Sequence, residues 1–418
     1  MSARRAARPV TANPHVSPFI RIALLLQFAF LGMMMSSWMS RMPSVRESLD
    51  VTAMQLGVLL ISGGIGSLVG ALTVGTLVAR FGSRAVLIVG IAGNVVGFGF
   101  LAGSMFLASS ELFLLGMAMN GVSGAFVNVA ININAAAFER AWGRTVLPQF
   151  HAAFSIGAAL GAFLASLFSA AGISAGVQVI LVTVVLTAAR LVLWRASTQP
   201  MQEATSVSRS RRRGALRSAL SAWVEPRTLM LGLVLLAGSL SEGTATTWLS
   251  LSVVDGYAQP EAIGAAVYAS FLAAMTLFRI GGVVLIDHFG RVLVLRLSGA
   301  VAFVGVLLFV FGGTLPLGWT GAVLWGIGAA LAAPIAIAAA SDDASRAGER
   351  VSVVTSFSTL ASLAAPPLLG LLVDQVGPLL SMLLVAAAVV VSVAFSGAVK
   401  RTPGDAVTTQ TTPIRIAD

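Results

Sequence analysis

Long apolar stretches, each followed by a short polar segment, run through most of the chain. A helix needs about 20 mainly apolar residues to cross a hydrocarbon core of about 30 Å. Stretches of that kind lie near residues 19–39, 54–78, 85–108, 112–137, 147–170, 175–194, 228–253, 262–286, 292–312, 317–340, 351–373 and 379–399. The pattern therefore predicts an all-α membrane protein with twelve transmembrane helices.

The composition supports lipid as the solvent for much of the surface. Of the 418 residues, 57% are hydrophobic and 10% are charged, whereas a soluble domain has about 25% charged residues. The chain has no cysteine, and its three histidines, His15, His151 and His288, are far apart. We therefore expect no metal and no cofactor, and we expect no disulfide or cysteine nucleophile.

Basic residues indicate how the chain is oriented. A net charge of +10 and the run Arg209, Arg211, Arg212 and Arg213 raise the possibility of nucleic-acid binding. Membrane proteins, however, concentrate Lys and Arg in cytoplasmic segments. With the amino terminus inside, the external segments hold only Arg41 and Arg46 of the 26 basic residues. The bias favours cytoplasmic termini in a multi-pass protein of the inner membrane, with no nucleic-acid partner.

The chain divides near its middle into two similar parts. Residues 196–227 form the longest polar stretch between spans, rich in Ser, Gln and Arg, and are typical of a linker. Residues 79–87 recur as 287–295, and two further matches have similar offsets. We predict two six-helix bundles, 19–195 and 228–399, in pseudo-symmetric parallel repeat, with cytoplasmic tails at 1–18 and 400–418. Such repeats characterise secondary transporters.

The repeated segment resembles a signature of the major facilitator superfamily. The family pattern Gly-x-x-x-Asp-Arg-x-Gly-Arg-Arg matches residues 75–84, except that Ala79 replaces the acid; the second copy keeps Asp287. The similarity covers residues 19–400, and a segment of residues 41–46 is most like a little-characterised bacterial branch. It implies two bundles rocking about a cavity lined by helices one, four, seven and ten. It also implies a cytoplasmic gate, for which the candidates are Arg80, Gly82, Arg84, Arg279, Asp287, Gly290 and Arg291.

Glu242 is the carboxylate placed well inside a span, about 21 Å from its inner end. A charged acid there is costly and usually faces a cavity. Because burial disfavours the charged form, Glu242 is our candidate for carrying a coupling proton. The alternative is a buried acid that pairs with Arg or Asn and only holds the bundle together.

Several other polar or aromatic residues lie within the spans. Asn120, Asn128 and Asn132 share one face of span four, and the second half has no amides at the equivalent positions. The competing explanation is hydrogen bonding between helices. Gln27, Asn120, Asn128, Asn132 and Trp248 are therefore our candidates for the substrate cavity. Arg279 is assigned to a network with Asp287, and anionic-substrate binding is its alternative role.

These features favour a secondary active transporter for a small organic solute, coupled to protons and working as a monomer in the lipid bilayer. The first alternative is export of a drug-like or secondary metabolite by proton antiport. Span five lacks the Gly-Pro motif of drug antiporters, which argues against it. The second alternative is a membrane sensor or scaffold that transports nothing. The spans contain no constellation typical of an enzyme.

Overall fold

The computed structural model describes residues 17–198, 221–343 and 346–401, and these residues are almost entirely helical. The first half contains α1 (Pro18–Met39), α2 (Met42–Leu49), α3 (Ala53–Leu107), α4 (Ser110–Trp142), α5 (Leu147–Ala170) and α6 (Ala175–Ser197). The second half contains α7 (Pro226–Thr244), α8 (Ser250–Tyr257), α9 (Glu261–Phe289), α10 (Arg291–Phe311), α11 (Leu315–Ala329), α12 (Ala332–Ala340), α13 (Ala347–Val376) and α14 (Leu383–Ala394).

The described residues form ten helices that are long and apolar enough to cross a membrane. One of these, α3, has 55 residues and is interrupted at Gly82, where the backbone is not helical. A shorter apolar helix covers Leu380–Ala394. The count of twelve thus depends on treating each side of Gly82 as a span and on including the short last helix. The all-α prediction is confirmed.

The internal repeat appears in the backbone as well as in the sequence. Gly82 has φ 79° and ψ 160°, and Gly290 has φ 78° and ψ 158°. Glycine tolerates such positive φ values because it has no Cβ. The two predicted repeat positions therefore make the same sharp turn between consecutive spans.

The two halves, residues 17–198 and 221–401, pack through two pairs of helices. Helix α5 lies against α9, and α3 lies against α13. The predicted linker 196–227 lies largely outside the described residues, as do most of both tails, so those domain boundaries stay predictions.

We call the end of the bundle that holds Ser17 and Arg401 the proximal end. The opposite end, which holds α2 and the turn at 258–260, is the distal end.

Small residues set the distance between α1 and α5. A Cβ at Gly157 would overlap the carbonyl of Ala29, and one at Gly161 would overlap the carbonyl of Met33. Glycines four residues apart let helix backbones approach closely. The packing role that the sequence suggests for this glycine pair agrees with the structure.

Two consecutive prolines, Pro366 and Pro367, are a sequence signal for a broken or bent helix. Instead α13 runs from Ala347 to Val376 with both prolines inside. Gly57 of α3 lies against the backbone of Pro366. Membrane helices tolerate proline where a neighbouring helix packs closely against them.

The close approach of α1 and α5 can be tested with Gly161→Ala. Its methyl group would enter the space that the Met33 carbonyl occupies, and overpacking of this kind costs about 1–3 kcal/mol. We expect a lower midpoint of thermal unfolding in detergent.

Gly99→Ala is the matched control, because Gly99 lies in a helix with no atom within 4 Å of an added Cβ. It should be neutral or slightly stabilising, since alanine is the better helix former. Equal midpoints for the two variants would contradict the assigned packing.

Candidate functional site

Glu242 and Arg279 form an ion pair in the middle of the second half. The Glu242 Oε2 atom lies 3.3 Å from the Arg279 Nη2 atom, and the side chains are 39% and 32% exposed. Arg279 also donates its Nε–H to the carbonyl oxygen of Ala330, 3.0 Å away, where α11 gives way to α12. The pair therefore joins α7, α9 and a break in a third helix, and it remains open to solvent.

Helix α7 changes its geometry just after Glu242. Residues Ala245–Leu249 form a π-helical turn that connects α7 to α8. The hydroxyls of Thr246 and Thr247 donate to the carbonyls of Glu242 and Gly243, at 2.8 Å and 2.9 Å. Turns of this kind are rare and occur frequently at functional sites. Nothing in the hydrophobic pattern indicated this turn.

The structure does not form the predicted network between Arg279 and Asp287. The two residues are eight positions apart, which is about 12 Å along a helix, too far for the two side chains to touch. Asp287 is exposed and has no ion pair with any residue in the described ranges. Arg279 instead pairs with the predicted proton-coupling residue, which reaches it from the neighbouring helix.

His151 brings the first half to this pair. It lies in the first turns of α5, is exposed, and is close enough to Arg279 for an electrostatic interaction. Its ring packs edge-on against Phe28, with centroids 5.6 Å apart. Sequence reasoning missed His151 as a site residue, because a histidine near a helix end is usually just solvated.

The asparagines of α4 separate into two environments. Asn120 accepts a hydrogen bond from Asn94 at 3.0 Å, so it joins two helices. Asn132 donates to the Asn128 side chain at 2.9 Å, and Asn128 is exposed. Asn128 and Asn132 therefore bond to each other along α4, whereas Asn120 serves packing between helices.

Gln27 does not line an open cavity in this structure. Its side chain is fully buried, donates to the carbonyl of Arg190 at 3.1 Å, and accepts from Arg190 Nε at 3.0 Å. Arg190 is also fully buried, and its two terminal nitrogens have no hydrogen-bond partner among the described residues. Arg190 falls within the predicted span 175–194, and no partner is predicted for it from the sequence. In the structure it belongs to α6 and faces α1 inside the bundle.

Trp248 is also displaced from its predicted environment. Its side chain is fully buried in the core of the second half, and its indole N–H has no hydrogen-bond partner in the described part of the chain. It lies in the π-helical turn that follows Glu242. A face cannot be assigned from helical spacing across such a turn.

The predicted gate residues at the proximal end have different partners in the two halves. Arg84 stacks over Trp194 at 4.4 Å, and Arg80 lies over Phe81. Arg291 forms an ion pair with Asp342 at 2.8 Å. None of these contacts joins the two halves.

A second charge cluster surrounds Glu225, which precedes α7. Burial opposes ionisation, but hydrogen bonds from Arg350 and Thr228 and the charge of Arg346 hold the pKa of Glu225 below its usual value. The Arg350 Nε atom lies 2.8 Å from this carboxylate. The cluster ties the start of α7 to α13 within the second half.

The distal end holds the two halves together. Arg41 donates to Glu261 at 2.7 Å, to the Gln178 side chain at 2.6 Å and to the Ile173 carbonyl at 3.0 Å. Glu261 also accepts from the backbone and hydroxyl of Ser44, at 2.9 Å and 2.7 Å. The Arg41 side chain is 4% exposed. This buried pair connects α9 of the second half with the segment after α1.

Further distal contacts reinforce this closure. Arg46 pairs with Asp255 at 2.6 Å, and Asp374 accepts from the amide of Met54 at 2.9 Å at the start of α3. Every hydrogen bond between described residues of the two halves lies at the distal end. Among those residues, hydrogen bonds therefore join the two halves at the distal end, and none joins them at the proximal end.

Comparison with known proteins identifies the chain's relatives. Residues 24–366 match the sequence model of the Major Facilitator Superfamily. The uncharacterized transporter y4wD of Sinorhizobium fredii is 32% identical over 83% of this chain and 89% of its own length. The nucleoside transporter NupG has the same fold, with a TM-score of 0.70, 16% identity and coverage of 93% and 100%. A bacterial homologue of the human lysosomal transporter Spinster, inward-facing and unoccupied, has a TM-score of 0.70, 12% identity and coverage of 93% and 99%.

The role of the Gln27–Arg190 pair can be tested with Gln27→Ala. The change would leave a buried guanidinium without its side-chain acceptor, and a buried unpaired donor costs about 1–3 kcal/mol, more when charged. We expect a clearly lower midpoint of thermal unfolding.

Gln149→Ala is the control, because Gln149 accepts from Arg21 in a similar pair that is exposed. Its midpoint should change little. An unchanged midpoint for Gln27→Ala would return Gln27 to the set of cavity residues.

Proposed function

This chain belongs to the major facilitator superfamily and is a membrane transporter rather than an enzyme, and from that premise we propose proton-coupled transport of a small organic solute by alternating access. The partly exposed ion pair of Glu242 and Arg279, close to His151 of the other half, is the observation that carries the proposal. A charged pair in a span is costly unless a cavity hydrates it or a ligand replaces the water.

The conformation fits one stage of such a cycle. The halves are linked at the distal end by the largely buried pair of Arg41 and Glu261 and by exposed contacts of Asp255 and Asp374, and by no hydrogen bond in the described proximal segments. In alternating access, one end closes while the other opens around a central site. We assign the structure to the state in which the site opens proximally.

The proximal end is cytoplasmic in this proposal. Arg41 and Arg46 are the basic residues of the distal segments, and each is bound to a carboxylate. The remaining loop arginines of the described chain are proximal, including Arg84, Arg144 and Arg291. This distribution agrees with the bias of membrane proteins toward cytoplasmic basic residues.

The ion pair suggests how proton and solute are coupled. When Glu242 is ionised, it holds the Arg279 guanidinium at 3.3 Å. When a proton binds the Glu242 carboxylate, that attraction is lost, and Arg279 becomes available to a solute. The sequence argument for Glu242 relied on burial of its carboxylate. In this proposal the coupling arises because the Glu242 carboxylate binds either a proton or the Arg279 guanidinium.

The coupling proposal is tested with Glu242→Gln, which removes the ionisable group at nearly constant shape. Solutes are first found by screening sugars, nucleosides, amino acids and organic acids for thermal stabilisation of the purified protein. In proteoliposomes, the variant should lose accumulation of the selected solute under a pH gradient by at least tenfold. It should retain solute exchange, because exchange requires no net proton movement.

Glu47→Gln is the matched control, since Glu47 is an exposed acid in α2 away from the cavity. It should accumulate solute as the parent does. Normal accumulation by well-folded Glu242→Gln protein would refute coupling at this residue. Loss of binding together with exchange would make Glu242 a solute ligand instead.

The closure and the orientation are tested together with introduced cysteines, which report cleanly because the chain has none. In intact cells, an impermeant thiol reagent should label Ala258→Cys at the distal end. Ser36→Cys is buried behind the closure and should react slowly. Adding Glu261→Gln removes the ion pair with Arg41 and should accelerate Ser36→Cys labelling several-fold.

Glu111→Gln is the control for that acceleration, because Glu111 is a distal acid whose side-chain partner, Ser109, lies beside it in the first half. It should leave the labelling rate of Ser36→Cys unchanged. An unlabelled Ala258→Cys would reverse the orientation. Equal labelling rates with and without Glu261→Gln would show that this pair does not control the distal end.

A further inference from the structure

A groove of about 590 Å³ opens at the proximal end of the second half. It lies between the end of α9, the start of α10 and the residues that follow the last helix. Its polar lining consists of Asp287, Arg291, Arg296, Lys400 and Arg401. The groove lies apart from the Glu242–Arg279 pair, and the transport proposal does not use it.

The charges in this groove are only partly balanced. Arg291 is neutralised by Asp342 at 2.8 Å. Arg296 donates to the Ser396 hydroxyl at 2.8 Å and, like Lys400 and Arg401, has no carboxylate within 4 Å among the described residues. Asp287 is the acid in the lining. Three cations therefore face one carboxylate, which leaves the groove with a net positive charge.

The start of α10 adds a second source of positive potential. Arg291, Val292 and Leu293 lie in the first turn of this 21-residue helix, and all three line the groove. The first amides of a helix have no partner within it, and its dipole favours anions at that end. Helix termini of this kind bind phosphate groups.

The wall beside the groove is apolar and exposed. Phe289, Leu293 and Leu297 are 53%, 46% and 56% exposed, and Leu293 and Leu297 share a face of α10, four residues apart. In a protein that crosses a membrane, such a wall faces acyl chains. A ligand that fits both features has an anionic head and an apolar tail.

We propose that this groove binds the phosphate headgroup of an anionic phospholipid from the proximal leaflet. The headgroup lies between Arg296, Lys400 and the amino terminus of α10, and an acyl chain follows Leu293 and Leu297. Basic pockets at this level of a membrane protein attract anionic lipids, with about 1 kcal/mol per basic residue. The contact would fasten the last helix to the turn between α9 and α10.

At the equivalent turn of the first half, the polar side chains have partners within that half. There Arg84 stacks on Trp194 at 4.4 Å, and the Ser83 hydroxyl donates to Asn134 at 3.1 Å. Removing two basic residues of the first half therefore serves as a control, because it changes the net charge of the protein by the same amount. A general attraction of cations to anionic lipid would act on both halves alike.

The test uses the full chain in detergent and native mass spectrometry with added phosphatidylglycerol or phosphatidylcholine. We expect one retained phosphatidylglycerol and no retained phosphatidylcholine. The double variant Arg296→Gln/Lys400→Gln should weaken that retention about 25-fold, at about fivefold per cation. The double variant Arg140→Gln/Arg195→Gln removes the same charge from exposed proximal positions of the first half and should retain the lipid.

Each other outcome overturns the proposal. Equal loss in both double variants would mean general charge attraction. Protection against thermal unfolding by inorganic phosphate alone, as strong as that by the lipid, would assign the groove to a free anion. Retention that appears only after deletion of residues 402–418 would assign it to the carboxyl-terminal tail. Thermal midpoints of both double variants, measured without lipid, show whether a loss of retention comes from misfolding. If Arg296→Gln/Lys400→Gln has a normal midpoint and retains the lipid normally, the site is refuted.

Discussion

The buried ion pair between Arg41 and Glu261 is the interaction on which the arrangement of the two halves depends. Arg41 donates one hydrogen bond from each of its three nitrogens, to Glu261, Gln178 and Ile173, although its side chain is only 4% exposed. A buried pair of this quality is costly to break by removing one partner but need not be strong in itself, because both ions lost their hydration when it formed. A closure that is well satisfied yet not deeply stable suits an end that must open again during a cycle.

The same energetic rule separates two polar pairs inside the spans. Gln27 and Arg190 are fully buried and satisfy part of each other's hydrogen-bonding capacity, so the pair fixes α1 against α6. Glu242 and Arg279 are about a third exposed, and their 3.3 Å contact is longer than the distal one. Charged groups kept within reach of water can change partners at low cost. The openness of the second pair, rather than its position in the sequence, is why we propose it as the coupling site and treat the first pair as structural.

The sequence predicted the helices well because span length and turn chemistry are local properties. Apolar runs located α1, α5 and most others to within a few residues, and the repeated glycine marked the interruption of α3. Patterns along one stretch of sequence could not show which side chains on other helices a residue would contact. Gln27 and Trp248 were assigned to the cavity, and Arg190 was given no partner, because the face that a side chain presents depends on which helix packs there. Glu242 was singled out as an acid within a span and remains our proposed coupling residue, but its partner Arg279 was assigned to Asp287 on its own helix.

The two halves keep one backbone plan while their side chains have diverged. Gly82 and Gly290 have nearly the same φ and ψ, yet Arg84 after the first stacks on an indole and Arg291 after the second binds a carboxylate. A duplicated fold needs the turn in both copies, because each copy must reverse the chain between two spans. The charges are needed in only one copy. That copy is the second half, which also holds the Glu242–Arg279 pair and the π-helical turn. Among the described residues, the second half therefore carries most of the ion pairs, and the first half supplies Arg41 and Arg46 to the pairs that join the halves.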